Sequence, residues 1–277
     1  MQKWLTDLHT HSDFSFDSKE SLAKMLKIAH EKGLAFYGVS EHFNYDACTE
    51  YEQKCYQGID EESYFHTGRH LQEDYAGCLN VLIGAEFGFT PNATALGRYV
   101  EIVQKYRPDY VINSIHDKDG WDYYTKKPYY DKDGGLLDKT QVYVEYFRLV
   151  LDSLSAPYPY DIVGHLGYCA RYAPYEDTRI SFEALQSEID AVLKTIIAKD
   201  KILELNASTK DGSVCVPDIE IIKRYYELGG RKISYGSDAH YAQRVADKRD
   251  EVIKLAKEIG FSYITVPCNG EHIKVEI

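Results

Sequence analysis

The sequence predicts an α/β fold: a β/α barrel with a metal site at its C-terminal mouth. Three observations predict it. Apolar strand-like runs alternate with amphipathic helical segments along all 277 residues, with no linker and no second composition regime. Nearly every strand-like run ends in histidine or a carboxylate, at His9/His11, His42, Glu86, His116, His165 and Asp238/His240, and a barrel gathers its strand ends at one mouth. The glycine fingerprint of a doubly wound nucleotide-binding sheet is missing after the first strand.

Leu5 to Asp17 anchors the pattern: a short apolar run ends in His9-Thr10-His11, with Asp17 six residues on. Side chains two apart on a strand share a face, so His9 and His11 can grip one ion, and imidazole suits Zn, Mn or Fe. Ser18 to Lys32 places Leu22, Met25, Leu26 and Ala29 at helical spacing, with Ser18 or Ser21 as cap and Gly33 as stop. On that helix His30 reads as a surface residue. Leu34 to Ser40 reads as a buried strand delivering Glu41 and His42.

An insertion at about 43–75 is polar, aromatic and weakly periodic, with one helix expected in its second half. His66 and His70 stand at i, i+4 there, a metal-competent spacing that a solvated helix face explains better. Leu79 to Ala85 is the next strand and ends at Glu86, a carboxylate that could bridge two cations. Thr94 to Arg107 is a helix closed by Pro108, and Tyr110 to Ile115 is a strand ending at His116. Asp117 to Asp138, rich in Gly, Asp and Tyr, reads either as a mobile lid or as a merely exposed loop.

Thr140 to Ser153 is an amphipathic helix, and Asp161 to Gly164 a strand ending at His165. Ser181 to Lys199 reads as one long core helix capped by Ser181. Lys201 to Leu205 is a strand leading to Asn206, and Asp218 to Leu228 a helix stopped by Gly229-Gly230. Lys232 to Ser237 brings Asp238 and His240 to a strand end. Ala242 onward is helical, and Phe261 to Val266 is a last short strand.

Lys and Arg total 32 against 44 Asp and Glu, a formal charge of −12. That argues against long nucleic acid, which needs a broad basic face, but not against a small anion held by cations. Six scattered cysteines without a Cys-x-x-Cys indicate neither a zinc ribbon nor a disulfide scaffold, and read as reduced thiols. With no leader-like start and no run of eighteen apolar residues, the expectation is a soluble cytoplasmic protein without a membrane partner. The 25 tyrosines fit either an aromatic substrate pocket or ordinary packing.

Taken together, His9-Thr10-His11 with Asp17, Ser40-Glu41-His42, Gly84-Ala85-Glu86, Ser114-Ile115-His116, Gly164-His165-Leu166 and Gly236-Ser237-Asp238-Ala239-His240 resemble the PHP (polymerase and histidinol phosphatase) superfamily, and within it the histidinol-phosphate phosphatases. The resemblance spans almost the full chain. It implies one domain over 1–277, a distorted (β/α)7 TIM-like barrel, and two or three divalent metal ions (Zn, Mn or Fe). Carried over by position, it implies that His9, His11, Glu86 and Asp238 hold a first ion, Glu86, His116 and His165 a second, and Asp17, His42 and His240 a third. Ser-Glu-His stands where Thr-Asp-His is frequent, with no ligand lost.

The implied chemistry is hydrolysis of a small phosphate monoester, L-histidinol phosphate, in histidine biosynthesis. A water bridging two metals attacks phosphorus while the ions polarise the phosphoryl oxygens. Glu86, Asp238, His240 and Arg171 are the catalytic candidates, and Arg171, Lys210, Asn206 and His42 the substrate contacts. For Arg171 and Lys210 the competing reading is a surface cation; for Asn206 it is an orienting role behind the ligands. Rival functions are a phosphodiesterase or exonuclease, a phosphotyrosine-protein phosphatase, and a catalytically silent metal-binding barrel. The sequence leaves the oligomeric state open.

Overall fold

Seven parallel strands form the scaffold in the computed structural model, which describes residues 5–45 and 59–277. They are β1 (Leu5–Asp7), β2 (Leu34–Phe43), β3 (Asn80–Gly88), β4 (Val111–Ser114), β7 (Ile162–Val163), β8 (Ile202–Asn206) and β9 (Ile233–Gly236), hydrogen-bonded in that order. Two short strands, β5 (Asp117–Lys118) and β6 (Trp121–Asp122), form a hairpin between β4 and β7. Leu8 N donates to Tyr235 O (3.0 Å), Asp238 N to His9 O (2.8 Å) and His11 N to Ala239 O (2.9 Å), so the sheet closes on itself just past its first and last strands. The α/β barrel expected from the alternation is the observed fold.

The period-2 geometry of strands sorts the interior into layers. Leu82, Gly84 and Glu86 share one face of β3, and Ile202, Glu204 and Asn206 one face of β8. Leu82 and Ile202 pack with Phe36, Ile112 and Ile162 of the neighbouring strands in the lower barrel, and the polar members of the two sets lie above them. The Tyr110 ring fills the space between. A Cβ on Gly84 would lie 2.5 Å from ring carbons of Tyr110, and one on Gly38 2.3 Å from its hydroxyl oxygen. That hydroxyl donates to Leu8 O at 2.7 Å.

Helices α1 (Leu22–Glu31), α2 (Glu61–Asp74), α3 (Ala93–Tyr106), α4 (Lys139–Ser153), α5 (Tyr168–Arg171), α6 (Gln186–Ala198), α7 (Ile219–Glu227) and α8 (Arg249–Ile259) connect the strands. Side chains that accept backbone N–H groups cap several of them: Ser21 for α1, Asp60 for α2, Asn92 for α3, Asp138 for α4 and Asp218 for α7. The expected helix in the second half of the insertion is α2. His66 and His70 are exposed on it, as is His30 on α1. The first half of the insertion, with Cys48 and Cys55, lies largely outside the described residues.

Three expectations need correction. The helix read from Ser181 begins at Gln186; the Ser181 hydroxyl instead accepts from Ala184 N, capping a turn before it. The segment after Ala242 is a single 3-10 turn before α8 begins at Arg249. The segment at 117–138 is exposed only in part: its first half holds β5 and β6, and Tyr123 and Tyr129 of the segment are fully buried, Tyr129 donating to Cys169 O at 2.5 Å, whereas residues 131–136 are exposed. The final short strand lies outside the seven-stranded sheet: β10 (Tyr263–Cys268) pairs antiparallel with β11 (Glu271–Glu276). Val266 and Val275 of this hairpin join the lower barrel cluster and cover its N-terminal end.

Candidate metal centre

The upper barrel layer collects every ligand candidate around Glu86, which the parallel register brings beside His42 of β2. Glu86 is wholly buried, and its carboxylate oxygens lie 2.7 Å from His42 Nδ1, 2.9 Å from His165 Nε2, 3.1 Å from His116 Nε2, 3.4 Å from His9 Nε2 and 3.7 Å from His11 Nε2. Asp238 Oδ1 lies 3.4 Å from His11 Nε2 and 3.9 Å from His9 Nε2. At the outer edge, Asp17 Oδ2 lies 3.0 Å from His240 Nε2 and 3.6 Å from His42 Nε2. The His11 ring packs against those of both His42 and His240, with centroids 4.1 and 4.3 Å away.

These side chains form four overlapping groups of three with metal-ligating geometry: His9–His11–Asp238, His9–Glu86–His165, His42–Glu86–His116 and His11–His42–His240. Overlap through shared Glu86, His9, His11 and His42 means that the cluster can hold more than one ion. The donor atoms themselves fit cations. His9 Nε2 and His11 Nε2 are buried without a hydrogen-bond partner, although buried polar atoms ordinarily find one, and His42 Nδ1 and His240 Nε2 face only carboxylate oxygens, of Glu86 at 2.7 Å and Asp17 at 3.0 Å. Imidazole nitrogens and carboxylate oxygens suit Zn, Mn or Fe.

Charge in the cluster is mutually dependent. Burial would raise the Glu86 pKa, but His116, His9 and His42 outweigh it and hold the carboxyl well below its usual range. Burial likewise opposes ionised Asp238, and His9, His11 and Arg171 reverse that effect. His11 is pushed well down, by burial first and then by His42 and His240. For Arg171, burial works against the charge, yet Asp238 together with Tyr168 and Tyr172 outweighs it and its pKa is raised.

The substrate candidates divide. Arg171, on α5, donates from Nη1 to Asp238 Oδ2 (3.0 Å) and from Nη2 to Asn206 Oδ1 (3.1 Å), and its guanidinium lies 4.9 Å from the Tyr168 ring centroid. It is therefore no surface cation. Both ends of the Asn206 amide are engaged by protein: Oδ1 also accepts from Ser208 N (2.9 Å), and Nδ2 donates to Glu204 Oε2 (3.3 Å). Those contacts match an orienting role behind the ligands better than a substrate contact. Lys210 is exposed, 4.1 Å from the Tyr172 ring centroid, and lines a cavity of about 220 Å³ with Arg171, Ser208 and Thr209. Tyr168 stands beside His165 and His116, with centroids 5.0 and 5.4 Å apart, whereas many other tyrosines are core.

Two buried carboxylates were given no role by the sequence reading. Glu41 accepts from the Ser12 amide and from the hydroxyls of Ser12 and Ser15, fixing the loop between His11 and Asp17. Glu204 lies 2.6 Å from His9 Nδ1 and accepts from His165 N at 2.6 Å. The available signal was a glutamate inside an otherwise apolar strand, since such a group is rarely buried without partners.

A model of the PHP domain matches residues 7–208. This chain belongs to the PHP domain family. Among its relatives is a probable histidinol-phosphatase of Clostridium acetobutylicum, 30% identical over 91% of this chain and 92% of the relative. A histidinol-phosphatase of Lactococcus lactis is 27% identical, over 92% of this chain and 91% of the relative. The PHP barrel also superposes on the crystal structure of a histidinol phosphate phosphatase from Lactococcus lactis complexed with zinc, L-histidinol and phosphate. That match has a TM-score of 0.83 and 26% identity, and covers 98% of this chain and 99% of the other. Among the described residues of the PHP barrel, no helix is long and apolar enough to cross a membrane.

Proposed function

We propose that this protein is a metal-dependent phosphoric monoester hydrolase that converts L-histidinol phosphate to L-histidinol and phosphate, in the histidine biosynthetic route of the cytoplasm. The observation that carries the reading is the end-to-end match to the Lactococcus lactis phosphatase structure with zinc, L-histidinol and phosphate. It is supported by a barrel mouth in which five candidate histidines surround Glu86, with Asp238, Asp17 and His240 beside those histidines. The chain works as a single barrel domain over 1–277, its insertion at about 43–75 included.

In this reading His9, His11, Glu86 and Asp238 would hold one divalent ion, Glu86, His116 and His165 a second, and Asp17, His42 and His240 a third. Ions bound there supply a water of lowered pKa and positive charge against the phosphoryl oxygens. The chain's own part is orientation and charge. Arg171, clamped on Asp238 and Asn206, keeps a fixed cation beside the cluster to balance substrate phosphate. Lys210 adds a second cation at the rim, and Tyr168 presents a ring face near His165 for the imidazole of the substrate. His42, 10% exposed, and His240, 20% exposed, sit on the open side of the cluster from which substrate enters.

The test is ³¹P NMR of L-histidinol phosphate with zinc- or manganese-reconstituted protein. Conversion to inorganic phosphate that stops on chelation supports the reading. An unchanged monoester signal from protein that has bound its metal refutes it and leaves a silent barrel.

A further inference from the structure

Strand β8 is the one barrel strand whose end supplies no candidate ligand, yet its inward face carries a connected set of hydrogen bonds at the mouth. Glu204, 1% exposed, places Oε1 2.6 Å from His9 Nδ1, while Oε2 accepts from His165 N (2.6 Å) and Asn206 Nδ2 (3.3 Å). Asn206 passes the chain to Arg171, and Arg171 to Asp238. One bracket thus ties ligand candidates from β1, β7 and β9 through a strand that holds none. The barrel makes room for it: a Cβ on Gly236 would lie 2.2 Å from Glu204 Oε1 and 2.5 Å from His9 Cβ.

We infer that Glu204 is a positioning residue that fixes the His9 imidazole with its proton on Nδ1, leaving the Nε2 lone pair aimed at the site shared with Glu86 and Asp238. The inference rests on the reading that His9 holds a metal ion. A carboxylate only accepts, so a neutral His9 facing it must donate from Nδ1. The other ring nitrogen is then the buried, unpartnered Nε2, 3.4 Å from Glu86 and 3.9 Å from Asp238. The second oxygen of Glu204 holds the His165 backbone by the same acceptor-only logic.

Glutamine, the isosteric replacement, fails in either orientation. With its oxygen toward His165 N, the amide NH₂ faces His9 Nδ1, which must accept and so carries its proton on Nε2, against the ion. With its oxygen toward His9, the NH₂ opposes two donors, His165 N and Asn206 Nδ2. Partners behind a ligating histidine are commonly worth about 10–100-fold in metal affinity.

The experiment is zinc affinity by chelator competition on the full chain, for wild type, Glu204→Gln and His9→Ala, with melting of each metal-free protein as the structural control. Glu204→Gln is expected to bind zinc about 10–100-fold more weakly while its metal-free melting stays near that of wild type. Should Glu204→Gln bind as wild type does while His9→Ala is weakened, the positioning role is wrong and the metal reading stands. Should wild type bind no zinc, or His9→Ala bind undiminished, the metal reading itself falls. If Glu204→Gln does not fold, long-range ¹H–¹⁵N spectra of histidine-labelled, zinc-loaded wild type decide alone. They should show His9 protonated at Nδ1 and coordinating through Nε2; coordination through Nδ1 overturns the inference.

Discussion

Replacing Glu86 by glutamine removes one charge and almost no volume, so packing is spared and the electrostatic role is isolated. The carboxylate is buried with imidazole nitrogens of His42, His165, His116, His9 and His11 between 2.7 and 3.7 Å of its oxygens. Two unit charges 4 Å apart at an effective dielectric constant of about 20 interact by about 4 kcal/mol. A divalent ion carries twice the charge, and the amide dipole recovers part of the loss, so about 4 kcal/mol is a conservative figure. At 1.4 kcal/mol per decade that is roughly a thousandfold. Glu86→Gln should therefore bind zinc about 10³-fold more weakly and lose about 10³-fold or more in kcat/KM for L-histidinol phosphate. Chelator competition with metal analysis measures the first quantity, and steady-state phosphate release the second. Full metal stoichiometry together with kcat/KM within tenfold of wild type would show that Glu86 is not the shared centre of the cluster.

Metal removal should lower stability by mass action: at free metal a hundredfold above Kd the bound protein gains about 2.7 kcal/mol. For a chain of this size that is about 5–10 °C in Tm, readable by calorimetry with and without chelator; coincident melts would argue that no ion is held in the folded state. Arg171→Lys cannot span Asp238 Oδ2 and Asn206 Oδ1 together, and charged hydrogen bonds are worth about 1.5–3 kcal/mol. Its kcat/KM should drop about 10–100-fold, and a rate equal to wild type would assign Arg171 no part in turnover. Val266→Ala removes two buried methyl groups from the hairpin that closes the lower barrel. It should cost about 2–3 kcal/mol in denaturant unfolding with zinc affinity unchanged; a loss of metal binding without a loss of stability would contradict the separation of plug and site.

Much of the site was legible because barrel geometry converts a local signal into a global one. An apolar run ending in His, Glu or Asp can be read without its neighbours, and parallel closure then brings all such ends to one mouth, as it does for His9, Glu86 and Asp238. Roles that depend on a specific long-range partner were not readable. Glu204 and His9 are 195 residues apart, and only closure between β1 and β9 brings them within 2.6 Å. Asn206 reads equally as substrate contact or support until both ends of its amide are seen to be taken by Arg171, Ser208 and Glu204. The C-terminal hairpin could have been anticipated. Asn269-Gly270 adopts left-handed backbone at both positions (φ 51° and 82°), the pairing that a tight two-residue β-turn requires. The early start assigned to α6 came from Phe182 and Leu185, whose apolar spacing continues a helical pattern through a capped turn that is not part of the helix.

The most direct measurement is kcat/KM of the metal-reconstituted protein for L-histidinol phosphate, set against a phosphotyrosine peptide, a short phosphodiester and other small monoesters. The account predicts a preference of several orders of magnitude for L-histidinol phosphate. Faster turnover of the peptide or the diester would contradict the substrate while sparing the metal barrel, and metal-loaded protein that turns over none of them would contradict the enzymatic reading altogether.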